Sequence, residues 1–208
     1  MYENIIQFTL MIIPLILAVT VHEFSHGYAA YLFGDTTAKD AGRLTLNPVK
    51  HLDPIGSVLL PIMLKLSGSP VLFGYAKPVP VNFFRLKDFK IGTIVVAIAG
   101  PLSNIFILII SGILIRLIGT SQQELFVLLY YSCVINSVLA VFNMIPIPPL
   151  DGSKIILALL PERFRIKYAY FERFGMFLII FLIIVGALDN LIAFFVKPLI
   201  VLSTGVAL

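Results

Sequence analysis

The chain has 208 residues, of which 59% are hydrophobic and only 12% are charged. Soluble globular domains carry about 25% charged residues, so this composition excludes a soluble enzyme and predicts an integral, multi-pass membrane protein. The net charge of +4 does not indicate nucleic-acid binding, because the basic residues lie in short loops beside apolar segments, where they set membrane orientation. We therefore expect the lipid bilayer, and no nucleic acid, as a partner. The single cysteine, Cys133, excludes a thiolate metal cluster.

The apolar segments predict an all-α fold with about four transmembrane helices, in one membrane-embedded domain over residues 1–208. A span needs about 20 apolar residues. The candidate segments are 5–33, 92–115, 125–150 and 174–196, the last of them interrupted by Asp189 and Asn190. We expect the functional core at about 5–160, and an interfacial segment with the last helix at 161–208.

The segment 55–64 is apolar but too short to cross a bilayer, and its proline and glycine residues disfavour a regular helix. We predict a re-entrant or interfacial segment there. Asp53, directly before Pro54, is predicted to initiate a turn. Short β-strands are predicted at 42–46 (GRLTL) and 77–82 (KPVPVN), where an exposed edge would accept an extended segment of another chain by strand addition.

Basic residues cluster before the second predicted span and between the third and fourth, whereas the loop between the second and third spans has one Arg and one Glu. By the positive-inside rule, both basic segments are expected in the cytoplasm. This places the end of the first span, and the sequence PPLDG (148–152) after the third span, on the cytoplasmic side of the membrane.

The sequence HEFSH, residues 22–26, lies in the first predicted span. On a helix, His22 and His26 share one face and can bind one metal ion, while Glu23 reaches the edge of the same site. This H-E-x-x-H pattern is typical of zinc metalloproteases, in which the glutamate is the general base and not a ligand. A structural polar cluster is the alternative, and it explains neither the spacing nor the glutamate.

A catalytic zinc ion takes three protein ligands and keeps one position open. Asp151 is the one acidic residue at the end of the third span, after a proline-rich segment that excludes a regular helix. We favour Asp151 as the third ligand, and the alternative that it caps a helix beginning at Gly152 stays open on this evidence. His51 lies among turn formers and is predicted to be a loop histidine near the site, because a fourth ligand would close the open position.

These residues resemble the site-2 protease family of intramembrane zinc proteases, since HEFSH lies in a membrane helix and Asn143 stands eight residues before Asp151 of a Leu-Asp-Gly. Three further segments are similar to segments of the bacterial members: NPVKHLDPIG (47–56), GYAKPVPVN (74–82) and AGPLSN (99–104). The resemblance covers about residues 15–160. It implies Asp151 as the third ligand, a core of three spans, and a prokaryotic cell (inner) membrane. Nothing between 35 and 90 is long enough for the PDZ domain of larger relatives, so we expect a minimal member.

The predicted function is an intramembrane zinc endopeptidase that hydrolyses peptide bonds in or near transmembrane segments of other membrane proteins. We expect one Zn²⁺ per chain on His22, His26 and Asp151, with Glu23 as the general base on zinc-activated water. Asn143 is the candidate for stabilising the oxyanion, with bracing of the proline-rich backbone as its alternative. Asn104, in AGPLSN, is a weaker candidate for the same role, and helix packing is its favoured interpretation.

Two other classes of protein remain open on the sequence. A metal-ion transporter or channel would use the same side chains as a permeation site, but it leaves Glu23 without a role. A catalytically silent scaffold would bind membrane helices without cutting them.

Overall fold

Helices make up nearly all of the regular structure in the computed structural model, which describes residues 2–59, 63, 76–119 and 121–206. In chain order the α-helices are α1 (Tyr2–Leu32), α2 (Thr37–Asp40), α3 (Phe89–Ile118), α4 (Gln123–Asn143), α5 (Asp151–Leu159), α6 (Glu162–Ile184) and α7 (Ala187–Thr204). Between α2 and α3 lie two 3-10 turns, Pro48–Lys50 and Phe83–Arg85, and one π-helical turn, Pro54–Leu59.

Within the part of the chain that the structure describes, four helices are long and apolar enough to cross a membrane: Ile6–Leu32 of α1, together with α3, α4 and α7. The prediction of about four transmembrane helices is therefore confirmed. Capping residues mark the ends of these helices. The side chain of Asp88 accepts the N–H of Ile91 at the start of α3, and Gly34, with a φ of 99°, follows the end of α1.

The fourth span differs from the predicted segment 174–196. Helix α6 ends at Ile184, and Gly186 adopts a left-handed conformation with a φ of 69° that separates α6 from α7. Asp189 lies in the first turn of α7, where the helix dipole stabilises an acidic side chain, and so it does not interrupt a span. The first half of α6 is charged, and α6 is not among the four candidate spans.

The prediction of short strands at 42–46 and 77–82 is not confirmed, since the described residues contain no strand. Segments 42–46 and 77–82 are irregular, and a side chain joins them: Arg43 Nη2 donates to the carbonyl oxygens of Lys77 and Pro78 at 2.7 and 3.4 Å. Proline has no N–H group to donate, so Pro78 and Pro80 interrupt any backbone ladder along 77–82.

Part of the predicted re-entrant segment lies outside the described residues, which lack 60–62 and 64–75. The described part, Pro54–Leu59, is the π-helical turn. Asp53 precedes it, and its Oδ1 accepts the N–H groups of Ile55 and Gly56 at 2.9 and 2.7 Å. The prediction that Asp53 initiates a turn is confirmed.

Helix α3 lies at the centre of the bundle, in contact with α1, α4, α5 and α7. Helices α1 and α7 each pack against both α3 and α4. The contact with α7 is close, because a Cβ atom on Gly112 would lie 2.6 Å from the carbonyl oxygen of Ser203. Arg116 then donates from Nε to the same carbonyl at 2.8 Å, which satisfies an acceptor that the helix end leaves without a partner.

The segment after residue 75 is tied to the end of α1 through a buried carboxylate. Asp35 is fully buried. Its Oδ1 accepts the N–H of Thr37 at 3.0 Å, and its Oδ2 accepts the N–H of Asn82 at 2.7 Å. The N–H of Lys87 donates to the carbonyl of Phe33 at 2.8 Å. Residues 82–87 are therefore held beside the C-terminal end of α1.

Enlarging Gly112 should loosen the packing of α7 against α3. In Gly112→Leu the new side chain meets backbone atoms of Ser203, which cannot rotate away, so we expect a loss of about 1–3 kcal/mol in the free energy of unfolding. Unfolding in mixed detergent micelles measures it. Val95→Ile, which adds a methyl group to an exposed position of the same helix, is the control. Equal stability of the two variants would contradict this packing.

Candidate metal centre

Three potential ligand atoms converge where α1, α3 and α5 meet. His22 and His26 lie one turn apart on α1, with their Nε2 atoms 3.0 Å from each other. Asp151 is the first residue of α5, and its Oδ2 lies 3.2 Å from each Nε2. The side chains form a group able to hold a metal ion, since their ligand atoms all lie within 4.8 Å of one another.

The second nitrogen of each imidazole is bound to the protein. Nδ1 of His26 lies 2.7 Å from the carbonyl oxygen of Val96. A carbonyl oxygen only accepts, so the proton is on Nδ1 and Nε2 is free to act as a ligand. Nδ1 of His22 lies 2.6 Å from Oδ1 of Asn104. Such partners fix the tautomer and the ring orientation of metal-binding histidines.

The Asp151 carboxylate supports the interpretation of the site as a cation site. Its Oδ2 is buried and has no hydrogen-bond donor, and a buried acceptor of this kind is costly. Burial raises the pKa of Asp151, but the adjoining imidazoles of His22 and His26 lower it further, to about 2. The carboxylate is therefore ionised and available to a cation at neutral pH.

The donor set fits zinc. Imidazole nitrogen and carboxylate oxygen are ligands that Zn²⁺ takes, and at bond lengths of about 2.0–2.1 Å a tetrahedral ion separates its ligand atoms by about 3.3 Å. The observed separations are 3.0–3.2 Å. The side chain of Asp151 is 19% exposed, compared with 8% for His22, so the group is more accessible from the Asp151 side.

Helix α3 approaches the group at a glycine. A Cβ atom on Gly100 would lie 2.4 Å from Nε2 of His26 and 2.6 Å from Cε1 of His22. Any other residue at this position would therefore occupy the space of the imidazoles. Only glycine allows the backbone of α3 to lie directly against both rings.

Glu23 lies beside the group but is not part of it. It is three residues before His26, so the two side chains are neighbours on the surface of α1. Its Oε2 accepts the N–H of Val79 at 2.7 Å. Val79 is buried against Gly27, where a Cβ atom would lie only 2.9 Å from Cγ1 of Val79. The segment 76–82 therefore passes over the face of α1 that carries Glu23.

The other predicted site residues have different environments. Asn143 is the last residue of α4, and its Nδ2 donates to the carbonyl of Leu139 at 3.0 Å. His51 is buried, and its Nε2 donates to the carbonyl of Thr45 at 2.7 Å, as expected of a loop histidine. Asp151 lies inside the first turn of α5, so the alternative that it caps a helix from Gly152 is wrong.

Sequence reasoning missed four residues that shape the site: Gly100, Asn104, Asn136 and Val79. Asn104 was expected to serve packing, but it binds His22. A signal was present in AGPLSN, since Gly100 and Asn104 are four residues apart and share one helix face. Asn136 is a buried amide within a span, and polar groups at such depth are usually functional. Val79 contributes only its backbone N–H, which a sequence pattern does not reveal.

Comparison with known proteins assigns the chain to a family. The model of peptidase family M50 matches residues 114–186, which include Asp151. The chain is 40% identical over 187 residues to "Putative zinc metalloprotease YwhC" of Bacillus subtilis (strain 168), and the match covers 85% of this chain and 82% of the relative. The chain belongs to peptidase family M50, the site-2 protease family.

A more distant relative is "Putative zinc metalloprotease Rip2" of Mycolicibacterium smegmatis, 27% identical over 184 residues, which cover 88% of this chain and 70% of the relative. No solved structure matches the chain. The resemblance inferred from the motifs is thus confirmed. The protein is a metalloprotease whose four apolar helices fit an integral membrane protein.

The contact between Gly100 and the two histidines generates a direct prediction. Gly100→Ala places a methyl group within 2.4–2.7 Å of ring atoms of both imidazoles, so the rings must move and zinc should be lost. Elemental analysis of the purified protein measures zinc per chain. Gly92→Ala is the matched control, because a Cβ atom there meets only side chains, at 3.1–3.2 Å. Full zinc content in Gly100→Ala would contradict the close approach.

Proposed function

We propose that this metalloprotease is an intramembrane zinc endopeptidase that hydrolyses peptide bonds in or near transmembrane segments of other membrane proteins. The observation that carries the proposal is the converging group of His22, His26 and Asp151, two members of which lie within a helix long and apolar enough to cross a membrane. We assign one Zn²⁺ per chain to this group.

Glu23 is the proposed general base. Zn²⁺ held by this group supplies a Lewis acid that lowers the pKa of water and polarises the scissile carbonyl. The Glu23 carboxylate takes the proton of the attacking water and delivers it to the leaving amine. A carboxylate accepts at two oxygens, so Oε1 can carry the proton while Oε2 stays bound to the N–H of Val79.

Asn143 is the proposed partner of the developing oxyanion. An amide nitrogen carries two hydrogens, and the bond to Leu139 uses one of them. The second can be donated to an oxyanion. Asn143 is also the last residue of α4, and only a short irregular segment separates it from Asp151 in the sequence.

The site is proposed to face the cytoplasm of a prokaryotic cell. Its support is that the two basic segments lie at one end of the bundle: the guanidinium of Arg165, on α6, packs 4.4 Å from the ring centroid of Phe89, at the start of α3. Lys87, just before α3, is bound to Phe33 at the end of α1. The positive-inside rule assigns such an end to the cytoplasm.

The segment 76–82 offers an unwound substrate few backbone partners. A transmembrane helix must unwind before its peptide bonds are accessible, and strand addition would supply hydrogen bonds to it. The N–H groups of Lys77, Val79 and Asn82 are already bonded within the protein. Pro78 and Pro80 have no N–H. We therefore assign this segment the role of holding Glu23 instead of pairing with substrate.

Substitutions at the ligands and at the base should separate binding from catalysis. Asp151→Ala should lose zinc and activity together. Glu23→Gln should keep about one zinc per chain and lose about 100- to 10,000-fold in turnover, the usual contribution of acid–base catalysis. Elemental analysis and cleavage of a fluorescent single-span peptide in detergent measure the two effects, with Asp189→Asn, an exposed acid on α7, as the control.

The outcomes of this experiment also separate the alternatives. Zinc-dependent cleavage of soluble unstructured casein, with the transmembrane peptide left intact, would contradict the intramembrane activity. Zinc bound without cleavage of either probe would favour a scaffold, and metal flux through vesicles without tightly held zinc would favour a transporter.

A second pair of variants tests the bond between Glu23 and Val79. Val79→Pro removes the backbone N–H, whereas Val79→Ala keeps it and removes only the packing against Gly27. We expect Val79→Pro to lower kcat at least tenfold, about the value of one hydrogen bond to a charged group, with zinc content unchanged. Val79→Ala should lower kcat much less. Equal kcat values in the two variants would show that the N–H does not position the base.

A further inference from the structure

The two histidines of the site are held by different means. Nδ1 of His26 donates directly to a backbone carbonyl, that of Val96. Nδ1 of His22 meets a side-chain amide, Asn104, which is fully buried. An amide can turn over and present either its oxygen or its nitrogen, so the proton position on His22 depends on what fixes Asn104.

A backbone carbonyl fixes the orientation of Asn104. The carbonyl oxygen of Ala18 lies 3.3 Å from Nδ2 of Asn104, and a carbonyl oxygen only accepts. The nitrogen must therefore face Ala18, and Oδ1 must face His22. An oxygen at that position accepts from Nδ1 of His22, so the ring carries its proton on Nδ1 and presents a lone pair at Nε2.

A second amide reinforces this orientation from α4. Nδ2 of Asn104 also lies 2.8 Å from Oδ1 of Asn136, which is 1% exposed. Asn136 is fixed in turn, because its Nδ2 donates to the carbonyl of Ser132 at 2.9 Å. Reversing either amide would place oxygen against oxygen and leave buried groups without partners, which is costly inside an apolar helix bundle.

We propose that Asn104 and Asn136 form a positioning relay that sets the tautomer of His22 and thereby the affinity of the site for zinc. The relay rests on the proposed metal centre. Asn136 acts only through Asn104: it belongs to another helix, and its hydrogen bonds reach Asn104 and Ser132. His26 needs no such relay, since the backbone of α3 sets its tautomer directly.

Zinc affinity measured by chelator competition on the full chain in detergent tests the relay. Asn104→Leu, which keeps the branched arrangement of heavy atoms but has no acceptor, should weaken zinc binding by about 10- to 100-fold, the usual cost of losing the second partner of a metal-binding histidine. Asn136→Leu should weaken it less, because Ala18 still binds Asn104. The double variant should match Asn104→Leu, since without Asn104 the second amide has no route to His22.

Ser137→Ala is the matched control. Ser137 is a fully buried polar residue on the same helix as Asn136, and its hydroxyl donates to the carbonyl of Cys133. The Ser137→Ala substitution should leave zinc affinity unchanged. Thermal unfolding of each metal-free variant, recorded alongside, separates a loss of fold from a loss of affinity.

The outcomes distinguish the relay from the metal centre. If wild type holds zinc but Asn136→Leu binds it as tightly, the relay is wrong and the proposed function stands. Additive effects of the two substitutions would also overturn it, because they would show that Asn136 acts independently of Asn104. If wild type holds no zinc, the proposed function fails and the relay fails with it.

Discussion

The structure depends on one constraint: polar ligand atoms are placed among apolar helices, where water does not satisfy them. Each imidazole has two nitrogens, and a carboxylate has several lone pairs, so every one of these groups needs a partner within the protein. The structure supplies them from the backbone of α3, from the amide of Asn104 and from the N–H of Val79. Among the atoms of the metal group, Oδ2 of Asp151 remains without a hydrogen-bond donor.

The same constraint explains why α3 is central although it carries none of the ligands. Its backbone must approach the histidines closely enough for the carbonyl of Val96 to bind His26, and Gly100 makes that approach possible. Asn104, one turn later, then reaches His22. A side chain at Gly100 would separate α3 from α1 and remove both partners together. The packing of the bundle and the chemistry of the site are thus decided at the same helix face.

The sequence predicted the parts of this arrangement that are local in the chain. The spans follow from the length of the apolar segments. The shared face of His22 and His26 follows from helical periodicity. Asp151 followed from its place after a proline-rich segment, and the structure brings it to the histidines. The roles of Asn104 and Asn136 depend on which faces of α1, α3 and α4 meet, which no local pattern states. The predicted strands failed for a related reason: the side chain of Arg43, and not a backbone ladder, joins 42–46 to 77–82.

The two histidines have different hydrogen-bond acceptors at Nδ1, and this difference determines which substitutions can change the metal group. The carbonyl of Val96 is part of the backbone, and no substitution at that position removes it, so the tautomer of His26 is fixed by the helix itself. His22 depends on the amide of Asn104, whose orientation requires acceptors at Ala18 and Asn136. A change in the bundle interior can therefore reach the metal group through His22 without touching a ligand. Because α4 also carries Asn143 at its end, a displacement of α4 would affect the histidine side and the proposed oxyanion side of the site together.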